Sequence, residues 1–260
     1  MLKTLLSTIG VYKLYEKWLW HQVKSSVRPE HIAIILDGNR RWASEKDLAP
    51  WLGHKRGAEK VEQLLEWCLK LNVKSITLYA FSTENFRRPR EEVDEIMRIA
   101  GEELQKILKD DRIHRNRVCV KVIGRLNMVP EHLRKLIEEV EKATQNYNEH
   151  FLNIAFAYGG RAEIADAAKE IAKKVRKREL NPEDVDESLF EKFLYTSHMP
   201  KQDPDLIIRT SGEERLSGFL LWQSAYSELC FLDVYWPDFR LIDLLRAVRT
   251  FQKRKRRFGA

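Results

Sequence analysis

Cysteine is scarce and unpaired in this chain. Only three occur in 260 residues, Cys68, Cys119 and Cys230, an odd number without C-x-x-C spacing. That argues against a disulfide framework and a thiolate zinc site, and it fits a reducing cytoplasm. Long apolar runs are missing too: none approaches the ~20 residues needed to span a bilayer. Lys3, Lys13, Glu16 and Lys17 interrupt the N-terminal stretch too often for a secretory core, so the expectation is a soluble, unprocessed, cytoplasmic protein. Neither G-x-x-x-x-G-K-[ST] nor G-x-G-x-x-G occurs, which removes the P-loop and the dinucleotide fingerprint. The adjacent aspartates Asp110 and Asp111 are followed by Arg112, Ile113 and His114, with no further aspartate two residues on, so an aspartate-rich metal clamp is not expected.

What is present points to one compact α/β domain. At 43% hydrophobic the chain can bury one substantial core and does not demand two. The excess of 46 Lys and Arg over 39 Asp and Glu, a net +7, favours acidic ligands, an anionic membrane face or nucleic acid without choosing among them. Ile32 to Leu36, Ser75 to Ala80, Val118 to Ile123, Leu152 to Phe156, Leu206 to Ile208 and Leu229 to Val234 read as strands, several apolar without alternation, as strands buried on both faces do. Helical periods lie between them: Val93, Ile96, Met97, Ala100, Leu104, Ile107 and Leu108; Leu133, Leu136, Ile137 and Val140; Ile164, Ala168, Ile171 and Val175. The alternation predicts a central, mostly parallel six-stranded sheet flanked by helices. Residues 1–28 stand apart as an amphipathic helical extension. Leu2, Leu5, Leu6, Ile9, Tyr12, Tyr15, Trp18 and Leu19 form one stripe, which suits a helix packed on its own domain or on a partner, or one lying in a membrane interface.

Three strand ends carry candidate chemistry. HIAIILDGNRRWA, His31 to Ala43, delivers Asp37 and Gly38 into a turn, where glycine allows close backbone approach to a phosphate and aspartate offers a hard oxygen to Mg²⁺. ITLYA runs into FSTENFRRPREE, Phe81 to Glu92, in which Asn85 is either a turn residue or the group that positions a proton acceptor. DLIIR ends at Arg209, whose planar fork of donors suits phosphate oxygens, and RTSGEERLSGFLLWQSAYSELCFLDVYWPDF follows from there.

HIAIILDGNRRWA, LGHKRGAEKV, YAFSTENFRRP and IIRTSGEERLSGFLLWQSAYSELCFLDVYWPDF, in this order from about Pro29 onward, resemble the cis-prenyltransferase family of undecaprenyl and dehydrodolichyl diphosphate synthases. The resemblance implies a catalytic domain over 29–260 that adds isopentenyl diphosphate units in Z configuration to an allylic diphosphate, with Mg²⁺ as cofactor. It also implies roles by position. Asp37 matches the catalytic, metal-handling aspartate, with Glu228 completing the metal site; Gly38, Asn39, Arg40, Arg41, Trp42 and His54 surround the allylic diphosphate. Ser82, Thr83 and Glu84 line the pocket, Asn85 matches the proton-acceptor position, and Phe86 and Arg88 flank it. Arg209, Arg215, Leu216 and Ser217 match the isopentenyl diphosphate site. Arg257, Phe258 and Gly259 match an element that reaches a partner's active site, which implies a homodimer.

Two positions depart from the bacterial pattern: Arg40 stands for the middle glycine of DGNGRW, and Pro50 for a common arginine. The DGNRRW form and the N-terminal stripe are more similar to archaeal and eukaryotic-type members. A geranylgeranyl diphosphate primer and a long-chain product, precursor of a glycosyl carrier lipid, are therefore expected, with farnesyl diphosphate or a shorter product as the alternative. A non-catalytic subunit of a heteromeric synthase is the rival reading, disfavoured because Asp37, Asn85, Arg209, Arg215, Ser217 and Glu228 are all present. The basic run Lys253 to Arg257 lacks a basic-aromatic repeat, so no nucleic-acid partner is expected, while peripheral membrane contact stays open.

Overall fold

A computed structural model describes residues 11–254. Six strands, β1 (His31–Ile35), β2 (Ser75–Ser82), β3 (Val118–Ile123), β4 (His150–Tyr158), β5 (Leu206–Arg209) and β6 (Glu228–Phe231), form one sheet in the order β3-β4-β2-β1-β5-β6. Every pairing is parallel, so all six strands end on the same side. The central position of β1 explains its unbroken apolar run, since His31 to Ile35 are buried on both faces.

Alternate residues feed two cores. Ile32, Ile34, Leu78, Val120 and Ile208 face the larger one, covered by α3 (Pro50–Lys70), α4 (Arg90–Lys109), α6 (Glu131–Thr144) and α9 (Leu241–Lys253). Ala33, Ile35, Tyr79 and Ile207 face the smaller one, where Tyr158, Phe219 and Leu220 pack. Short helices α2 (Asn39–Ser44), α5 (Asp111–Arg115) and α8 (Glu187–Glu191), and the longer α7 (Gly160–Arg176), complete the order. The last strand is shorter than its apolar run because Val234 and Leu232 carbonyls accept from Ser211 N–H (2.7 Å) and Gly212 N–H (2.9 Å), which turns the chain out of the sheet.

Of the two readings of the N-terminal stripe, packing on the chain's own domain holds for the described part. In α1 (Val11–Lys24), Leu19 and Val23 are wholly buried, and Gln252 of α9 donates to the carbonyls of Val23 and Val27. Arg249 lies over the Trp18 ring at 4.5 Å and Arg246 over Tyr15 at 5.4 Å. Leu2, Leu5, Leu6 and Ile9 lie outside the described residues. No described helix is long and apolar enough to cross a membrane.

Two glycines one turn apart let α3 touch α2. A Cβ on Gly53 would stand 2.1 Å from the Asn39 carbonyl oxygen, and one on Gly57 would stand 2.4 Å from Asn39 Oδ1 and 2.9 Å from Trp236 Cδ1. Trp236, fully buried, locks the junction by donating its indole N–H to the Gly57 carbonyl at 2.8 Å. Gly57→Ala is expected to cost about 1–3 kcal/mol in chemical denaturation, as overpacking does.

A polar layer crosses the opposite end of the sheet. His31 Nε2 and Thr77 Oγ1 share a hydrogen bond of 2.8 Å, and Asn153 bridges Thr77 to His198. Burial lowers the His31 pKa to about 4 against the opposing pull of Asp205. The unfolded chain therefore binds the extra proton first, so this residue's contribution is complete above about pH 6.5 and fades toward pH 4. Between pH 7 and 5 the protein is expected to lose about 2 kcal/mol through it, a loss absent from the pH profile of His31→Gln.

Candidate active site

The parallel register sets Ile35 of β1 beside Arg209 of β5, and Asp37 follows two residues beyond the end of its strand. Arg209 Nη2 donates to Asp37 Oδ2 at 2.7 Å, and Nη1 donates to Ser217 Oγ at 2.8 Å and to the Arg215 carbonyl. Arg209 is almost fully buried, with its Nε unpartnered. Thr210 ties the two strand ends together, its hydroxyl accepting from Asp37 N–H (3.0 Å) and donating to the Asp37 carbonyl (2.7 Å).

Gly38 has φ +102, and a Cβ there would stand 2.6 Å from the Tyr235 ring, so the turn needs glycine twice over. Its N–H donates to Asp37 Oδ1 at 2.7 Å. One helical turn on, Arg41 approaches Asp37 Oδ1 at 3.6 Å and donates to Ser211 Oγ (2.6 Å) and Glu213 Oε1 (3.3 Å). Burial works to raise the Asp37 pKa, but the Arg209 guanidinium, with Ser211 and the Gly38 N–H, outweighs it and holds the carboxyl below its ordinary value. Asp37 is an anion braced by cations.

A second bracket is built around Glu92. This buried carboxylate on α4 accepts at one oxygen, Oε1, from His54 Nε2 (3.1 Å) and Arg88 Nη1 (3.1 Å), with Arg40 Nε at 3.5 Å. Burial lowers the His54 pKa, and Glu92 only partly opposes that. Sequence reasoning did not single out Glu92. Its signal was a carboxylate four residues after Arg88 and four before Ile96, on the buried stripe of the helix.

The loop after β2 is rigid. Ser82 N–H donates to Asn85 Oδ1 at 3.0 Å, and the Asn85 backbone N–H donates back to the Ser82 side chain, a capping box on the short 3₁₀ turn Thr83–Arg87. Thr83 donates to Glu84 Oε2 at 3.2 Å, and Phe86 packs edge-on against Phe81. Asn85 thus has the turn role, and its carbonyl oxygen is occupied.

An apolar cavity of about 480 Å³ opens beside both brackets. Asn39, His54 and Gly57 lie on its wall at that end, and Val61, Leu65, Ile96, Leu104 and Phe156 continue it between α3, α4 and the sheet. Asn39 Oδ1 and Trp42 Nε1 are buried without partners nearby.

Glu228 lies apart from the other expected site residues. Glu228 pairs in register with Leu206, three residues and roughly 10 Å of strand from the level of Arg209, and its carboxylate takes Arg254 at 2.6 Å. Strand direction therefore puts it at the opposite end of the sheet from Asp37 within one chain. Arg215 is exposed and turned to Glu213, and Leu216 packs on the smaller core. Arg257, Phe258 and Gly259 lie outside the described residues. Among the described residues no cluster of three His, Cys, Asp or Glu could hold a metal ion.

Known proteins of similar sequence and fold identify the family. The family described as "Putative undecaprenyl diphosphate synthase" matches residues 35–259. A tritrans,polycis-undecaprenyl-diphosphate synthase (geranylgeranyl-diphosphate specific) of Methanopyrus kandleri is 55% identical over 249 residues, covering 96% of this chain and 91% of its own length. The enzyme of the same name from Methanocaldococcus jannaschii is 53% identical over 254 residues, 98% of this chain and 91% of the relative. Among solved structures, lavandulyl diphosphate synthase from Lavandula x intermedia, in complex with dimethylallyl diphosphate, superposes with a TM-score of 0.86 at 37% identity, covering 90% of this chain and 99% of that one. A probable undecaprenyl diphosphate synthase from Campylobacter jejuni gives 0.72 at 31% identity, with 90% and 100% covered. With the same parallel sheet and the four motifs ranged along its strand ends and tunnel mouth, this chain belongs to the undecaprenyl diphosphate synthase family of cis-prenyltransferases.

Proposed function

We propose that this enzyme extends geranylgeranyl diphosphate by successive isopentenyl diphosphate units in Z configuration, giving a long-chain polyprenyl diphosphate that serves as precursor of a glycosyl carrier lipid. The observation that carries this reading is an apolar tunnel opening directly beside two cationic brackets. A cavity of about 150 Å³ accepts one benzene, so about 480 Å³ has room for roughly twenty carbons, the tail of a geranylgeranyl group.

Each cycle joins the allylic carbon to the terminal alkene carbon of isopentenyl diphosphate, expels the allylic diphosphate and sheds one proton. Two diphosphates must lie close together, and like charges ~4 Å apart repel by about 4 kcal/mol per pair at an effective dielectric near 20. Arg40, Arg41, Arg88 and the turn from Gly38 to Trp42, with His54, suit the allylic diphosphate at the tunnel mouth. Arg209, Arg215 and Ser217, beyond Asp37, suit isopentenyl diphosphate. Holding the reacting carbons together by their diphosphates can contribute ~7–11 kcal/mol. An amide is too weak a base to take the proton itself; Asn85 is assigned to positioning the acceptor through its amide N–H donors while its oxygen keeps the bond from Ser82 N–H.

The donor set fits Mg²⁺, which commonly takes one or two carboxylates and completes its shell with substrate phosphates and water. Asp37 would hold it, where it supplies charge stabilisation to the departing diphosphate. Glu228 is left out of that set within one chain. A homodimer in which Arg257 to Gly259 reach the partner's site, and peripheral membrane contact through the N-terminal stripe, extend the proposal by resemblance.

Incubation of the purified protein with Mg²⁺, labelled isopentenyl diphosphate and either farnesyl or geranylgeranyl diphosphate is expected to give long products, preferentially from the second primer. Absence of incorporation from both would sink the reading. Asp37→Asn, which retains the shape and removes the charge, is expected to lower kcat on the order of 10²–10³-fold. Arg40 sits half-exposed at the rim, where it substitutes for the charge missing at Pro50. Arg40→Ala is therefore expected to raise the allylic KM about tenfold, with that for isopentenyl diphosphate little changed; equal effects on both would remove the assignment.

A further inference from the structure

One carboxylate stands between arginines meant for two polyanions. Glu213, in the loop after β5, gives each of its oxygens to a different guanidinium: Oε1 accepts from Arg41 Nη1 at 3.3 Å, and Oε2 accepts from Arg215 Nη1. On the function proposed above, on which this inference rests, Arg41 serves the allylic diphosphate and Arg215 the isopentenyl diphosphate. A carboxylate that stayed in place would repel both ligands and occupy donors that each of them needs.

The loop and the arginines are held without it. Backbone bonds from Ser211 N–H to the Val234 carbonyl (2.7 Å) and from Gly212 N–H to the Leu232 carbonyl (2.9 Å) fasten the loop, and Arg209 holds the Arg215 carbonyl. Arg41 keeps Ser211 Oγ at 2.6 Å and Asp37 Oδ1 at 3.6 Å. Both Glu213 pairs are also open to water, with side-chain exposure of 29% for Glu213, 45% for Arg41 and 63% for Arg215. Ion pairs this open are weak, and a ligand carrying several negative charges displaces them.

We propose that Glu213 is a shared placeholder that couples the two diphosphate sites. Whichever diphosphate arrives first must turn the carboxylate out, and because one side chain answers for both arginines, the second diphosphate finds its own arginine already released. The cost of displacement falls on one ligand instead of two. Positive coupling follows, equal in both directions by linkage, and it opposes the direct repulsion between the diphosphates. Each condensation expels the allylic diphosphate and leaves the new chain's diphosphate on the isopentenyl side, so the arginines change ligands at every addition. Glu213 touches no reacting carbon; it acts through Arg41 and Arg215.

Calorimetric titration tests this. Isopentenyl diphosphate is titrated at fixed Mg²⁺ into the enzyme alone and into enzyme saturated with geranylgeranyl thiolodiphosphate, a slowly ionising allylic analogue; the ratio of the two dissociation constants is the coupling factor. Glu213→Gln, which keeps the shape and removes the charge, is expected to tighten binding of each ligand alone about fivefold and to lower the coupling factor by the same amount, leaving affinity in the ternary complex unchanged. Glu213→Ala, which lacks both acceptors, is expected to repeat this pair of changes. Glu214→Gln, at the exposed neighbouring position, controls for net charge and is expected to change neither quantity.

Weaker binding of the single ligands by both Glu213 variants, as a bracing role for the arginines requires, overturns the proposal. So does an unchanged coupling factor, or an equal effect of Glu214→Gln. Failure of the underlying function looks different: the unmodified enzyme would neither bind isopentenyl diphosphate nor incorporate it, and the placeholder would fall with that reading.

Discussion

The site is organised by one charge contact, Arg209 to Asp37, across adjacent parallel strands. Burying a guanidinium and a carboxylate is costly, and their attraction repays the desolvation only when the remaining donors are used. Arg209 uses two of them on Ser217 and the Arg215 carbonyl, which fixes the following loop in a conformation that includes left-handed Ser211 and Ser217. Losing Asp37 would leave the buried Arg209 guanidinium without a counter-charge, whereas Asp37 without Arg209 would keep Arg41 at 3.6 Å and the Gly38 N–H. The same contact that closes the top of the sheet therefore holds a cation and a metal-capable carboxylate within reach of one anionic ligand.

The second bracket solves a related problem by other means. Three cationic or potentially cationic side chains, from α2, from α3 and from the loop before α4, converge on the single oxygen of Glu92. Their mutual repulsion is offset by one buried anion, and His54, one of the three, lies on the cavity wall. Between the brackets the wall turns abruptly apolar. Polar heads and a hydrocarbon tail are thus sorted over a few ångströms by the ends of α3 and α4.

Much of this was legible from residue order, and the parts that were not share a cause. The unbroken run HIAII marks a central strand because both its faces are covered, and the β-α alternation dictates the parallel sheet. The motifs around Asp37 and Arg209 lie at strand ends and do meet. Glu92 escaped because a carboxylate in a run of charges reads as a solvated face until the helix's orientation is known. Asn85 remained double-valued, since capping and proton handling call for the same residue. Glu228 near the start of its strand sits, within one chain, at the far end of the sheet from Asp37, a fact of direction that spacing does not encode. Val61, Leu65 and Ile96 would suit a solid core as well as a tunnel, because the difference lies in the void between them.

Gly53 and Gly57 give α3 two unequal sides. On the side facing Asn39 and Trp236 the backbone itself is the contact surface, so evolution or engineering has no freedom there. The stripe of Ala58, Val61 and Leu65 faces empty space and can change in bulk without disturbing the turn after β1. Bore and grip are thereby separable traits, carried on opposite flanks of one helix.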